Sequence, residues 1–263
     1  MNDLTTYLTG VSNDYTCAAA EGELYGRLGL LLQPGTLHHA SHIPSYVGAG
    51  WAMDNGCYSS KGKFDGEQFV SSLAEIIETI DGAHDSCRFA VAPDVFTPGV
   101  GGDPEATLER SLPWFERIRA TGAPVAFVFQ DGLEQWDLDR IPWDSFDVAF
   151  IGGSDQFKLG YPTKVVNGNP HYLRGREYAG ELGAASEKTR KWARLIAEVH
   201  RREKGLHVGR VSSRVRLTFG YQIGADSCDG TFIKFGGRKN LARVSDWFTG
   251  LVTGAELALA EAA

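Results

Sequence analysis

The sequence predicts an α/β fold, and a (β/α)8 barrel of the TIM type is the arrangement that fits it best. Short apolar runs alternate with amphipathic helical segments along most of the chain. Within these runs apolar residues do not alternate with polar ones. Continuous apolar runs of this kind are typical of parallel strands buried on both faces. A length of 263 residues with 43% hydrophobic residues suits one barrel with a large core. We therefore expect a single domain over residues 1–263.

Seven segments are clear strand candidates, near residues 28, 50, 88, 124, 147, 206 and 225. The position of the eighth strand is open: it falls within 161–167 or within 231–235, or the barrel is irregular. Residues 1–25 are polar and suggest a short helix or an arm. A doubly wound sheet is the alternative fold, but no phosphate-binding glycine fingerprint follows the first strand candidate.

Helical periodicity and capping residues place helices between these strands. Asp103 is a natural N-cap, with Pro104 at the first helical position, and Ser186 precedes another helix. Residues 155–186 form a long polar stretch, which in a compact domain is more often a functional insertion than an accident. The predicted helices span residues 64–80, 104–120, 187–204, 213–223 and 244–261.

Composition argues against a membrane protein and for a reducing compartment. No run approaches the roughly 18 apolar residues that a membrane span needs. The N-terminus lacks the charged and apolar regions of a signal peptide. The four cysteines are scattered without a C-x-x-C pair, which disfavours a structural zinc knuckle. We expect reduced thiols in a cytoplasmic protein.

Three histidines lie close together in a predicted loop: His38, His39 and His42. Such a cluster suggests a metal, but a fourth ligand at a familiar spacing is missing. A loop or substrate-contact role is therefore the favoured interpretation. We expect neither a metal nor an organic cofactor.

The net charge of −7 is unevenly distributed along the chain. Residues 151–263 carry 18 Lys and Arg against 11 Asp and Glu, whereas residues 1–150 carry 8 against 22. Clustered basic residues matter more for phosphate binding than the total charge. A solvated basic helix face is the alternative. The candidate nucleic-acid-binding residues are Arg190, Lys191, Arg194, Arg210, Arg214, Arg238 and Lys239, extended by Arg201, Arg202, Lys204, Arg216 and Arg243.

Polar residues follow several of the predicted strands. In a barrel the carboxyl ends of the strands meet at the active-site face, so these residues converge on one pocket. Each acid alone is more simply a helix cap, but that explanation weakens when five positions repeat the pattern. The residues are Asp54, Asp94, Gln130, the Gly152-Gly153-Ser154 turn and Asp229.

This set of residue types suits a particular chemistry. Two carboxylates about 5 Å apart favour a retaining displacement at an anomeric carbon, one as nucleophile and the other as general acid and base. A third carboxylate beside a glutamine amide suits a purine edge, because the carboxylate accepts from N–H groups and the amide donates to a carbonyl.

Five short motifs, in order from residue 51 to 230, resemble those of the tRNA-guanine transglycosylase superfamily. Asp54-Asn55-Gly56-Cys57-Tyr58 is similar to the family's D-S-G-G-F motif, and Asp94 follows Val91-Ala92-Pro93 like the base-binding aspartate. Phe127 to Gly132 and Ile151 to Ser154 resemble the V-Q-G strand end and the G-G-L turn. Ala225 to Gly230 is similar to the D-x-x-D-C segment that contains the nucleophile.

The resemblance implies a barrel enzyme that exchanges guanine for a free 7-deazaguanine base. Asp229 would attack C1′ and form a covalent glycosyl intermediate, while Asp54 would assist proton transfer at the base. Asp94, Gln130 and the Gly153 backbone would read the guanine edge, and Tyr58 or Phe96 would stack on it. The nucleotide would leave the stack, since C1′ is otherwise inaccessible.

The chain departs from the tRNA enzymes at several points. Their zinc site has three cysteines and a histidine after the nucleophile, whereas no cysteine follows Cys228 here. Asn55 and Gly230 also replace a motif serine and cysteine, and the chain is short. It most resembles compact phage-type relatives that modify DNA, so we expect DNA as substrate, in the host cytoplasm if the protein is phage-encoded.

The sequence is also compatible with three other interpretations. One is a tRNA-guanine transglycosylase, and another is a small-molecule nucleoside or glycoside hydrolase on the same barrel. A third is a non-catalytic nucleic-acid-binding relative, although retention of both Asp54 and Asp229 argues against it. For Arg210, phosphate binding and an ion pair with Asp226 are equally compatible with the sequence. The motifs specify neither the inserted base nor the oligomeric state.

Overall fold

The structure is a computed structural model that describes residues 6–97, 101–160, 162–166, 169–172 and 187–260. Eight parallel strands close into a barrel in which each strand pairs with its neighbours in sequence and the last pairs with the first. The chain therefore has the predicted (β/α)8 fold. The strands are β1 Thr6–Thr9, β2 Leu28–Leu32, β3 Trp51–Met53, β4 Cys87–Val91, β5 Val125–Phe129, β6 Val148–Ile151, β7 Gly205–Val208 and β8 Ser227–Gly230.

The eighth strand lies at the N-terminus, so both predicted positions for it were wrong. β1 is fully buried between β2 and β8, with Thr6 opposite Ser227 and Thr9 opposite Gly230. Pro162–Val166 is a strand, but it pairs antiparallel with Asn169–Tyr172 outside the barrel. Residues 232–235 belong to a helix. The two strands at 162–172 lie in the predicted insertion, and residues 161, 167–168 and 173–186 of it are outside the described part.

Helices and short 3-10 turns connect the strands. The α-helices are α1 Asp14–Glu21, α2 Gly66–Thr79, α3 Ala83–Ser86, α4 Pro104–Ser111, α5 Phe115–Arg119, α6 Asp155–Lys158, α7 Glu187–Arg201, α8 Arg214–Gln222 and α9 Phe232–Ala260. The 3-10 segments are Pro34–Tyr46, Leu112–Trp114, Leu133–Gln135, Leu138–Arg140 and Trp143–Ser145. A small antiparallel ribbon joins Phe96–Thr97 to Gly101–Gly102.

Two helix predictions need correction. The helix predicted at 104–120 is divided into α4 and α5, because Pro113 cannot donate a backbone hydrogen bond in the turn between them. The closing helix begins at Phe232 rather than near residue 244, and Gly237 interrupts it with φ 52° and ψ −138°. The predicted cap is confirmed: an Asp103 side-chain oxygen accepts from the Ala106 N–H at 3.0 Å. Ser186 lies outside the described residues.

The barrel interior is filled from one end and open at the other. Seven buried residues form the inner cluster: Leu8, Leu31, Ala52, Phe89, Val91, Ala126 and Val128. Leu31 and Val128 also line a cavity at the carboxyl ends of the strands, together with Phe150. The inner cluster is therefore the floor of that cavity. A second, larger cluster fills the layer between strands and helices.

None of the helices that the structure describes combines the length and the apolar character that crossing a membrane requires.

Candidate active site

A cavity of about 590 Å³ opens at the carboxyl end of the barrel. Asp54, directly after β3, Asp94, after β4, and Asp229, within β8, all line it. The closed barrel thus brings together three carboxylates that are separated by up to 175 residues in the sequence. Like charges in one cavity repel each other, so their individual surroundings decide what each carboxylate does.

Asp54 is surrounded by protein and by the other two acids. Its pKa is raised to about 7, first by burial and then by the negative charges of Asp229 and Asp94. A hydrogen bond of 2.7 Å from Gln33 Nε2 to Oδ2 of Asp54 partly opposes this rise. A carboxyl group that titrates near neutral pH can both donate and accept a proton.

Gln33 was not predicted as a site residue. It directly follows β2 and lines the cavity, so its position repeats the strand-end pattern of the acids. A polar residue directly after a strand is the same signal that the acids gave, but Gln33 is followed by Pro34 and Gly35, which by themselves indicate the end of the strand.

Asp94 is held by two side-chain amides. Gln130 Nε2 donates to its Oδ2 at 2.7 Å, and Asn55 Nδ2 donates to its Oδ1 at 3.1 Å. Burial raises the pKa of Asp94, and these hydrogen bonds oppose the rise. Asn55 also donates to the Ala92 carbonyl at 2.8 Å, which fixes the amide in place. The carboxylate therefore faces the cavity in one defined orientation.

Gln130 does not reach the cavity itself. Its side chain is fully buried, and its Oε1 accepts from the Thr107 hydroxyl at 3.2 Å while its Nε2 is bound to Asp94. A Cβ on Gly102 would approach Gln130 Oε1 to 2.3 Å, so Gly102 permits the neighbouring ribbon to close over the amide. The structure thus positions Gln130 behind Asp94 rather than on the cavity wall.

Asp229 is oriented by its neighbour in the barrel. Nε2 of His207 in β7 lies 3.0 Å from Oδ2 of Asp229, and the Arg210 backbone N–H donates to Oδ1 at 3.3 Å. His207 is fully buried, with Ser227 Oγ 2.8 Å from its Nδ1. His207 was not among the predicted site residues.

The glycine turn after β6 forms part of the cavity wall. Gly152 and Gly153 line the cavity. Gly153 has φ 74°, and a Cβ there would lie 2.5 Å from Asp131 Oδ2. Ser154 instead caps α6, because its Oγ accepts from the Phe157 N–H at 3.2 Å and bonds to Asp131. Of the three predicted substrate-contact residues in this turn, only the glycines reach the cavity.

Four basic residues line the same cavity as the three acids, and we refer to them as the basic rim. It consists of Lys158, Arg210, Arg216 and Lys234. Lys158 is only 4% exposed, and burial lowers its pKa, against the opposing charge of Asp155 at 3.2 Å. Arg216 also pairs with Asp155 and donates to the Arg210 carbonyl at 3.1 Å. The cavity is thus lined both by carboxylates that accept hydrogen bonds and by positively charged side chains.

Arg210 also covers an aromatic pair at the cavity mouth. Its guanidinium carbon lies 3.5 Å from the Tyr58 ring centroid, and the rings of Tyr58 and Phe96 are 5.3 Å apart. Asp226 accepts a hydrogen bond from the Leu206 N–H at the opposite end of the strands. The alternative in which Arg210 pairs with Asp226 was therefore wrong.

The predicted basic surface separates into two regions. Arg190, Lys191 and Arg194 lie on α7 outside the barrel, where Lys191 contacts Gln135 at 3.0 Å and Glu187 at 3.1 Å. Glu198 further along α7 binds Arg201 and Arg202, so the solvated-face interpretation fits that end of the helix. The other residues are also exposed: Arg210 directly after β7, Arg214 at the start of α8, and Arg238 and Lys239 in α9 just after its break at Gly237.

The three histidines lie in the 3-10 segment after β2. The ring centroids of His38 and His39 are 4.1 Å apart, and His42 Nδ1 lies 2.7 Å from Ser12 Oγ. Burial and the two neighbouring histidines lower the pKa of His39. Within the described residues, no group of three or more His, Cys, Asp or Glu side chains is arranged to hold a metal ion.

Comparisons with the sequence models of known protein families and with curated proteins found no match to this chain. The fold and the site still define a class: a (β/α)8-barrel protein with an acidic pocket and a basic rim at the carboxyl ends of its strands. The resemblance to transglycosylases rests on the five motifs.

Proposed function

We propose that the protein is a base-exchange transglycosylase that replaces guanine in DNA with a 7-deazaguanine. The observation that carries this proposal is the pairing of Asp54 and Asp229 in one cavity with different surroundings. Asp229 is hydrogen-bonded by His207 and the Arg210 N–H. Asp54 has a pKa near 7. Two carboxyl groups with unlike environments are the usual arrangement for a nucleophile and a general acid.

In the proposed reaction, an Asp229 oxygen attacks C1′ and the bond between C1′ and guanine N9 breaks. The electron pair of that bond stays on guanine, which takes a proton from Asp54. The incoming 7-deazaguanine then returns a proton to Asp54 and attacks C1′, which releases Asp229. The bonds and protons balance over the two half-reactions, and no external oxidant or cofactor enters. Asp54 alternates between acid and base, which a pKa near the working pH permits.

Base recognition is assigned to Asp94 and the cavity walls. Asp94 already receives amide hydrogen bonds on both oxygens, and each carboxylate oxygen has a second lone pair for a purine N–H or amino group. Gln130 acts as a positioning residue for Asp94 in this proposal. Tyr58 and Phe96 at the mouth provide aromatic surface beside a base that has left its stack, and the Arg210 guanidinium covers the Tyr58 ring there.

The proposal of DNA as the polymer rests on the basic rim and on the absence of cysteines after Cys228. Phosphates carry the charge that Arg210, Arg216 and Lys234 complement at the mouth of the cavity. The set of three cysteines and a histidine that the tRNA enzymes use for zinc cannot form in this chain, since only four cysteines exist and none follows position 228.

The test is incorporation of a labelled 7-deazaguanine into polymer. Wild type, Asp229→Asn and Asp226→Asn are incubated with guanine-containing DNA, and in parallel with tRNA. Asp226 is a matched control because it lies in the same segment but at the other end of β8. We expect label in DNA with wild type and Asp226→Asn, and none with Asp229→Asn.

Each other outcome points to a different function. Label in tRNA alone would replace DNA by tRNA as the substrate. Release of guanine without incorporation would indicate a hydrolase that uses the same two carboxylates with water. Binding of nucleic acid by both wild type and Asp229→Asn, without release or incorporation across several candidate bases, would indicate a non-catalytic binding protein.

A further inference from the structure

We propose that Phe235 inserts into a DNA duplex beside the target nucleotide and fills the gap that the flipped base leaves. This inference rests on the proposed function, since it requires a nucleotide that leaves a base-paired stack. It goes beyond the roles of the catalytic residues in one respect. The protein acts on double-stranded DNA, and Phe235 is needed for double-stranded but not for single-stranded DNA.

The Phe235 side chain is 80% exposed, the largest value among the exposed large hydrophobic residues that the structure describes. A single exposed apolar side chain is common in proteins and carries no meaning alone. The exposure of Phe235 therefore indicates a binding role only in combination with its position next to the cavity.

Phe235 directly follows a residue that lines the candidate active site. Thr231 and Lys234, which line the cavity, are its near neighbours in the chain. Phe235 belongs to the first turn of α9, directly after the strand that contains Asp229. A side chain that enters DNA here would be next to the nucleotide whose sugar reaches Asp229.

The turn that presents Phe235 is held in place by its own contacts. Gly237 breaks the helix, and Asn240 Nδ2 donates back to the Phe232 carbonyl at 2.7 Å. The Phe232 ring packs on Trp247 with centroids 4.6 Å apart. Phe232 thus anchors the turn inward, whereas Phe235, three residues later, points into solvent. A side chain that separates stacked bases must be held by a rigid turn, because a mobile turn would be displaced by the bases.

The charges around Phe235 favour a polyanion over a protein partner. Residues 209–218 and 231–243 contain seven basic residues and no acidic one, although the whole chain has a net charge of −7. Arg214, Arg238 and Lys239 are exposed, and Val215, also in this region, is 70% exposed. Proteins that enter DNA with apolar side chains combine them with cations for the flanking phosphates.

The experiment compares exchange rates on one guanine-containing strand, either alone or annealed to its complement. The variants are Phe235→Ala, Phe235→Leu and Tyr25→Ala. Tyr25 is a control because it is an exposed aromatic residue, 63% accessible, before β2 at the opposite end of the barrel. Thermal unfolding and circular dichroism verify that each variant is folded.

We expect Phe235→Ala to lower the exchange rate on duplex DNA about tenfold and the rate on single-stranded DNA less than twofold. The reason is that the target base must be unpaired and unstacked from its neighbours in the duplex before it can enter the cavity. Phe235→Leu should retain most of the duplex rate, and Tyr25→Ala all of it. A mismatch opposite the target guanine should restore much of the loss in Phe235→Ala, since flipping then costs less.

Several results would overturn the inference while leaving base exchange intact. These are an equal loss on both substrates, no loss on either, or a wild type that acts only on single strands. A shift from dimer to monomer in Phe235→Ala, with unchanged duplex rate, would assign Phe235 to a protein interface. A wild type that exchanges bases in no polymer would instead refute the proposed function, and this inference with it.

Discussion

Nε2 of His207 lies 3.0 Å from Oδ2 of Asp229, and both residues sit on adjacent strands of the closed barrel. Ser227 Oγ is 2.8 Å from the other ring nitrogen. When the Ser227 hydroxyl donates to Nδ1, Nε2 carries the hydrogen and donates it to Asp229. The Phe89 and Phe150 rings pack against the imidazole, with centroids 4.9 and 4.6 Å away. Asp229 is therefore oriented by a histidine that has little freedom to move.

Removal of this histidine should slow the exchange without weakening base binding. We expect His207→Leu to lower kcat roughly 10- to 100-fold, because Asp229 loses the hydrogen bond that orients it for attack. KM for the free base should change by less than about threefold, since Asp94 rather than His207 is assigned to the base. His207→Gln retains a donor amide and should recover part of kcat. Equal losses in both variants would show that only packing at this position matters.

The exchange rate should depend on the ionisation of Asp54. Because the pKa of Asp54 is raised to about 7, the pH profile of the wild-type rate should bend near neutral pH. In Asp54→Asn the residual rate should lose that inflection. The measurement is a series of initial rates from pH 5 to 9 at saturating DNA and base. An inflection that persists in Asp54→Asn would assign the titration to another group.

The same group should make the fold less stable as the pH rises. Its pKa is about 7 in the folded protein against an ordinary value of 3.8, so the folded state holds the proton more tightly. The contribution of Asp54 to stability therefore falls from about pH 4 to about pH 7 and is constant above that range. Asp54→Asn should exceed wild type in unfolding free energy by roughly 2–4 kcal/mol at pH 8, and by little at pH 4. Denaturant unfolding at both pH values tests this, and a constant difference would contradict it.

Gln130 should affect base binding although it does not face the cavity. Gln130→Leu removes the 2.7 Å hydrogen bond to Asp94 and leaves the Thr107 hydroxyl without that partner. We expect KM for the base to rise about tenfold, which corresponds to roughly 1.4 kcal/mol. Gly102→Ala should act in the same direction by displacing the amide. Unchanged KM in both variants would remove Gln130 from base recognition.

Arg210 offers a test that separates its side chain from its backbone. Its φ of 59° is unfavourable for a residue with a Cβ, and only the N–H contacts Asp229. Arg210→Gly should therefore retain the Asp229 hydrogen bond and relieve about 1 kcal/mol of backbone strain. Loss of the guanidinium should weaken DNA binding and reduce its salt slope by about one. Arg210→Ala is the control. It should weaken DNA binding as much as Arg210→Gly, but it should not gain thermal stability, because alanine has a Cβ.

Much of the fold was determined by the sequence alone. Seven strands were predictable, most of them because parallel strands buried on both faces are continuous apolar runs, such as Val125–Phe129. The strand-end acids were predictable for a related reason: the carboxyl ends of such strands meet at one face, so Asp54, Asp94 and Asp229 had to approach each other.

The position of the eighth strand and the residues that orient the carboxylates depend on which strands are neighbours in the barrel. The Thr6–Thr9 strand has two threonines in four residues, and it is buried only because β2 and β8 enclose it. Gln33 reaches Asp54, and His207 reaches Asp229, because β2 adjoins β3 and β7 adjoins β8 in a particular register. The hydrophobic periodicity of the sequence predicts which residues of each segment are buried. The hydrogen-bond partners of a residue depend instead on which strands are neighbours in the barrel. That is why the carboxylates could be predicted from the sequence and the residues that orient them could not.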